Sequence, residues 1–329
     1  MNKILVLVIF FLLLGGGIFF YKRAVAPVDI EGEPLKIGLN VWIGEGIYYV
    51  AKEKGLFEKE GVDVELINFD DGAQAKQLIN TNQIDAVYVT AESVVILHNA
   101  GTKVKAVAML DTSNGADGVV AASEIKDLKG LKGKKVAYET GNASHFLLSY
   151  FLDKQGMSTK DVETVNSAAP DAGAAFVAGK VDAAATWEPW LSKASERKGG
   201  YILVSTKDAP IMGVMPVFRE EVLKNRREDV KKFLRALFEA KKFIDEHPDE
   251  ALPIIAENFS ISVIDVEEQM KRFRWIPYEE NIRDFEMGEF GPTRLIQMAG
   301  DLWFKNNLIS TPIKSTDLTD GSFLRELYQ

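Results

Sequence analysis

The strongest constraint on the fold is an order of elements that the chain runs through twice. In the first half, apolar periodicity predicts strands over 35–41, 62–69, 84–90 and 104–110, with helices over 46–54, 73–81 and 92–100 between them. In the second half, predicted strands over 134–139, 162–166 and 181–186 alternate with helices over 144–154 and 171–178. Each half opens a strand on the same short phrase, Ile84-Asp85-Ala86 in one and Val181-Asp182-Ala183 in the other. The match is topological and not a sequence repeat. Strands alternating with helices build sheets covered on both faces, so two similar α/β lobes are expected.

Beyond Glu220 the pattern turns helical. Val230, Phe233, Leu234, Leu237, Phe238 and Ala240 form an apolar stripe over 228–246. Two extended segments, Gly118 to Ser123 and Ile211 to Arg219, are expected to join the lobes and to bend when they move. The resulting division assigns residues 1–26 to an export signal or membrane anchor and 27–34 to a linker. Lobe 1 takes 35–118 and 215–329, including the C-terminal helices, and lobe 2 takes 119–214. Residues Ile4 to Phe20 carry no charged or polar side chain and follow Lys3, as an export segment does. Ala24-Val25-Ala26 has the form of a cleavage site, but Pro27 after it disfavours cutting. The location is therefore periplasmic or otherwise extracytoplasmic, with residues 4–20 as an anchor to the inner membrane if they are retained.

Composition removes several functions. With 48 acids against 39 bases the net charge is −9, which opposes binding to nucleic acid or anionic lipid. The absence of cysteine excludes disulfides, thiolate metal sites, cysteine nucleophiles and a lipid-bearing N-terminal cysteine. His98, His145 and His247 are not at metal-ligand spacing, and no metal or other cofactor is expected. Gly130-Leu131-Lys132-Gly133-Lys134-Lys135 is no P-loop, because its spacing is wrong and no strand precedes it.

The motif Thr186-Trp187-Glu188-Pro189-Trp190 puts two indoles and a carboxylate at the carboxyl end of a strand, with Pro189 in the first turn of a helix. Open α/β sheets bind ligands at that edge. Other loops at strand ends add Trp42, Glu45, Thr90, Asp111, Asn114, Asp117, Glu139, Asn142 and Ser144 to Trp187 and Glu188 as candidate ligand-binding residues, and Asp70-Asp71-Gly72 closes another such strand. Each of these residue types is also common in turns and caps. The candidate loops contain acids and indoles but no Arg or Lys. That mixture suits an amine, a quaternary ammonium or a nitrogen heterocycle. A bare anion would have to use backbone N–H groups, as at Thr140 to Ser144.

On Trp42-x-Gly44, Ala51-Lys52-Glu53-Lys54-Gly55-Leu56-Phe57, Gly61-Val62-Asp63-Val64-Glu65, Asp111-x-Ser113-x-Gly115-Ala116-Asp117-Gly118, Leu128 to Val136 and Thr186 to Trp190, residues 36 to about 250 resemble a known family. It is the group of extracytoplasmic solute-binding proteins of ABC importers for taurine, aliphatic sulfonates, nitrate and thiamine precursors. The resemblance implies the two-lobe periplasmic-binding-protein fold of type II, α/β, each lobe a doubly wound mixed sheet, here with a helical C-terminal extension. It implies hinge closure on a small-molecule ligand, and delivery to an ABC permease with its ATPase in the inner membrane. The chain is expected to act as a monomer and to make or break no bond. Two rivals stand beside this reading: an enzyme on the same fold, of the pyrimidine- or menaquinone-forming kind, and a membrane-tethered sensor acting in trans.

Overall fold

The computed structural model describes residues 32–69 and 72–329. The expected signal or anchor segment, most of the linker, and Asp70 and Asp71 lie outside the described residues. Among the described residues no helix is long and apolar enough to cross a membrane.

The chain first forms β1 (Leu35–Leu39), α1 (Gly46–Glu53), α2 (Leu56–Glu60), β2 (Val64–Asn68), α3 (Gly72–Asn80), β3 (Ala86–Thr90), α4 (Ala91–Asn99), β4 (Val104–Ala106) and β5 (Asp111–Ser113). It continues through β6 (Asp117–Ala122), β7 (Lys135–Tyr138), α5 (Ala143–Asp153), β8 (Glu163–Asn166), α6 (Ala169–Val177), β9 (Ala183–Trp187), α7 (Trp190–Ser195) and β10 (Gly200–Ser205). The last part is β11 (Gly213–Arg219), α8 (Glu220–Asn225), α9 (Arg227–Glu246), α10 (Pro248–Phe259), α11 (Val263–Met270), β12 (Phe273–Trp275), α12 (Tyr278–Asp284), α13 (Pro292–Lys305) and α14 (Ser322–Glu326).

These strands make two mixed sheets. One has the order β12-β5-β11-β3-β1-β2, with β4 also on β11, and the other β10-β6-β9-β7-β8. In the first, β1 is parallel to β2 and β3, and β11 runs antiparallel to β3. In the second, β7 is parallel to β8 and β9, and β6 runs antiparallel to β9. The repeated Ile/Val-Asp-Ala phrase has one task in both. Asp85 Oδ2 accepts the N–H of Lys36 at 3.0 Å, and Asp182 Oδ2 accepts the N–H of Lys135 at 2.9 Å. Each aspartate thus ties the start of a parallel neighbour. Asp85 is also bound by Arg219 Nη2 at 2.7 Å in a largely buried pair, whereas Asp182 is only partly buried.

The predicted strand over 104–110 breaks in two. Val107 and Leu110 still donate to Pro216 and Val214 of β11, but the ladder slips between them. Asp111–Ser113, expected in a loop, then forms β5 between β11 and β12. The expected crossing strands are corrected too. β6 belongs wholly to the second sheet and β11 to the first, so neither spans the gap. The chain crosses instead at 114–116 and 206–212, and the two passes are pinned together. Thr206 Oγ1 meets Ser113 Oγ at 2.7 Å and accepts the Gly115 N–H at 2.7 Å, while the Thr206 N–H donates to Asp117 O at 2.9 Å. Gly115 has φ +102°, a conformation that L side chains avoid.

One of three apolar clusters among the described residues reaches across both sheets, from Val87 and Val89 of β3 through Val119 and Ala121 of β6 to Phe146 of α5 and Trp303 of α13. The predicted stripe of α9 is buried beneath the first sheet. Trp303 is fully buried, donates to Glu92 O at 3.4 Å and packs on His145 and Phe146, with ring centroids 4.9 and 5.8 Å away.

The two aspartates should differ in cost. Asp85→Ala leaves the largely buried Arg219 guanidinium only Ile84 O and the exposed Glu221, and should lose about 3 kcal/mol in urea unfolding. Asp182→Ala removes one partly exposed hydrogen bond and should lose about 1 kcal/mol. Equal losses would show that Arg219 adds nothing.

Candidate ligand-binding site

A cavity of about 340 Å³ lies where the carboxyl ends of parallel strands from both sheets meet. Its walls are the segments after β1, β3, β7 and β9 and the starts of the helices that follow. Of the residues expected in a site, Trp42, Glu45, Thr90, Asp117, Glu139, Asn142 and Trp187 line it. Asp111, Asn114, Ser144 and Glu188 do not.

The four that miss it have other partners. Asp111 is fully buried behind the wall, its Oδ2 accepting from Trp42 Nε1 at 3.0 Å and from the Tyr88 hydroxyl. Asn114 is exposed at the crossing, its N–H donating to Arg272 O at 2.7 Å. Ser144 is buried and its Oγ accepts the Glu139 N–H at 3.0 Å. Glu188 turns away from the cavity. Its Oε1 accepts from Ser192 Oγ at 2.7 Å and pairs with Arg272 Nη1 at 2.9 Å, and its Oε2 accepts from Ser192 N–H at 3.1 Å. An ion pair thus ties the end of β9 in the second sheet to the residue before β12 in the first. The indoles of Trp187 and Trp190 both face the cavity, edge to face at 6.1 Å. Pro189, placed by sequence in the first helical turn, is the residue capping α7, after a cis Glu188–Pro189 bond.

The loop Thr140 to Ser144, considered as an anion cradle, has already spent the N–H groups of Thr140, Gly141 and Ala143. Thr140 donates to Asn166 Oδ1 at 2.8 Å, Gly141 to His145 Nδ1 at 3.0 Å and Ala143 to Asn142 Oδ1 at 3.0 Å. The first loop is held in the same way, by Asn40 N–H on Glu45 Oε1 at 2.5 Å and Asn40 Nδ2 on Tyr88 O at 3.2 Å.

Sequence reasoning missed Lys76, Tyr88 and Ser93, which also line the cavity with Asn40 and Ser113, two residues of the strand-end loops not singled out. Lys76 brings to the cavity a cation that the strand-end loops, which hold no Arg or Lys, do not supply. It lies mid-helix on α3, where no turn or strand-end signal marks it. Tyr88 is the third residue of a buried strand, and only the alternation of side chains could have pointed it here.

Burial shapes the electrostatics. Glu45 is fully buried, and desolvation raises its pKa well above the usual value despite the N–H from Asn40, with Asp111 adding repulsion. Desolvation pushes Asp111 up to about 7 against the hydrogen bonds from Tyr88 and Trp42, with Asp117 adding to the rise. Asp117 is likewise pushed up to about 7 by burial, with Glu92 and Glu188 repelling it. Glu92 is also raised by burial, against bonds from Thr90 and Ser93 and the charge of Lys76.

A family model described as NMT1/THI5 like matches residues 44–251. The chain belongs to the NMT1/THI5-like family. A Bacillus subtilis protein assigned to aliphatic sulfonate binding is 27% identical over 284 residues, covering 84% of this chain and 83% of its own. Among solved structures, the periplasmic aliphatic sulphonate binding protein of Escherichia coli superposes with TM-score 0.72 at 22% identity, covering 89% of this chain and 99% of that one. The nitrate-binding protein of Synechocystis gives 0.73 at 17%, with coverage of 89% and 88%. The fold is that of the periplasmic binding proteins, as the resemblance implied. The desulfurization enzyme DszB shares it at TM-score 0.61 and 15% identity, covering 89% of this chain and 98% of that one.

The raised carboxyls set a pH dependence. Asp111 and Asp117 go from 3.8 unfolded to about 7 folded, so between those values the native state holds protons that the unfolded state has released. Their contribution to stability is then full below about pH 4 and is lost as pH rises through 7. Urea unfolding of ligand-free protein should show this decline, at up to about 1.4 kcal/mol per pKa unit for each aspartate. Asp111→Asn should remove about half of it, and a flat profile in the unaltered protein would contradict the burial argument.

Proposed function

We propose that the chain is the solute-binding component of an ABC importer, working outside the cytoplasm, and that it captures a small nitrogen-bearing organic molecule. One observation carries the ligand class. Asn40 Oδ1 and Glu45 Oε2, on two residues that line the cavity, are buried and have no hydrogen-bond partner. Each buried acceptor left unpaired costs about 1–3 kcal/mol. Neither atom is open to the cavity, so a ligand with two N–H groups would supply both donors only as the first loop shifts around it. Trp42, Trp187 and Trp190 offer flat faces for its apolar part. An amine or an amino-substituted heterocycle meets these needs, and a quaternary ammonium, having no N–H, does not.

A second reading has its own support. Lys76 lines the cavity, and α6 starts there with no side-chain cap on its N-terminus. Both favour an anionic head group such as a sulfonate, the ligand class named for the Bacillus relative.

The mechanism is closure of lobe 1 (35–113 and 213–329) on lobe 2 (117–205), bending at 114–116 and 206–212. Ligand that touches both walls binds only the closed form and so shifts the population toward it. Trp42, Glu45 and Thr90 would meet it from one wall and Asp117, Glu139, Asn142 and Trp187 from the other. The closed protein then docks as a monomer on a permease and its ATPase, either free or held by residues 4–20. Catalysis on the same fold, as in DszB, would need a nucleophile other than thiolate, since the chain has no cysteine.

Calorimetry with 4-aminopyrimidine and with ethanesulfonate, each at pH 6 and pH 8, separates the two readings. A nitrogen donor stabilises ionised Glu45 and Asp117, so it should release protons and bind more tightly at pH 8. A sulfonate should take up protons and bind more tightly at pH 6. Glu45→Gln should weaken the first by about tenfold, the worth of one hydrogen bond to a charged group. Tight sulfonate binding with proton uptake would reject the nitrogen reading.

A further inference from the structure

We propose that Asp111 is a positioning residue that fixes the aromatic wall of the cavity, and that the glycine at 44 is needed to let it do so. The proposal rests on the reading of the cavity as a ligand site and adds how its wall is held. Asp111 does not line the cavity. It acts on two residues that do, because its Oδ2 accepts from Trp42 Nε1 at 3.0 Å and from the Tyr88 hydroxyl. A carboxylate oxygen shared by an indole and a phenol fixes both rings at their polar ends. Their other sides are held by packing. Phe273 meets Trp42 edge-on at 5.4 Å, and Tyr48 meets Tyr88 edge-on at 5.1 Å.

Gly44 is the third part of the device. Its backbone does not require glycine, since its φ is not among the positive ones. Space does. A Cβ there would stand 2.1 Å from Asp111 Oδ2 and 2.3 Å from Trp42 Nε1, on top of the bond between them. The backbone has little room to retreat, because Gly44 O accepts from Trp275 Nε1 at 2.8 Å in the buried interior. The Trp42-x-Gly44 pair and Asp111 are therefore one unit, assembled from β5 and the loop after β1.

The test uses the full chain labelled with ¹⁵N. The Trp42 indole N–H, assigned by its loss in Trp42→Phe, should resonate downfield and exchange slowly with solvent. Asp111→Leu should move it upfield and speed its exchange about tenfold or more, as expected when one buried hydrogen bond is removed. Asp111→Asn keeps an oxygen for both donors and should restore the signal. Gly44→Ala should copy Asp111→Leu although the carboxylate is intact, and it serves if Asp111→Leu does not fold. Whichever of 4-aminopyrimidine and ethanesulfonate the unaltered protein takes should bind about tenfold more weakly to Gly44→Ala. That loss should vanish when Trp42 and Tyr88 are both Phe, as a double-mutant cycle requires of a residue acting through them. An unmoved indole signal in Gly44→Ala, or an equal loss of affinity with and without the two donors, would overturn the proposal. Because the indole signal needs no ligand, failure of both probes to bind would count against the ligand class alone.

Discussion

The cavity depends on one buried hydroxyl. Thr206 Oγ1 joins the two short passes of chain between the sheets, touching Ser113 and Gly115 on one pass from its own place on the other. Only residues 114–116 separate β5 from β6, so the edges of the two sheets cannot drift apart at that point. The ends of β3 and β9 are thereby brought face to face, and the loops that follow them share one space. Thr206 is buried among polar partners, where a small tilt can be absorbed by exchanging hydrogen bonds at little cost in apolar contact.

Much of the fold was legible because burial leaves a periodic trace. The repeated Ile/Val-Asp-Ala phrase marked both equivalent strands, and the structure gives its reason in the carboxylates of Asp85 and Asp182. The stripe of α9 was read from spacing alone and is buried as expected. What stayed hidden was the choice of partner. Ladder breaks such as the one after Ala106 depend on a strand far away in sequence, β11. Thr206 sits in a plain polar turn and carries no pattern.

The site was read less well, for a related reason. Sequence marks which residues end a strand but not the direction in which each side chain turns. Trp187 and Glu188 are adjacent, yet one faces the cavity and the other pairs with Arg272. Lys76 is invisible to any search of strand ends because it projects from the middle of a helix. Loop N–H groups that look available for an anion in the sequence are taken by Asn166, His145 and Asn142 in space. The acids gathered around the cavity have few basic neighbours, so its charge follows how many protons they hold.

Helix α13 has a mechanical consequence. It is 14 residues long, about 21 Å at 1.5 Å per residue. Near its start, Leu295 lies against Gly213, at the foot of the second crossing. At its far end Trp303 packs on His145 and Lys305 pairs with Asp153, both on α5. The helix is thus a lever whose fulcrum is at the crossing and whose tip rests on the other sheet's helix. Swinging the sheets apart must slide an indole across an imidazole at that tip. The arc of opening is limited by this distant contact as much as by the crossing itself.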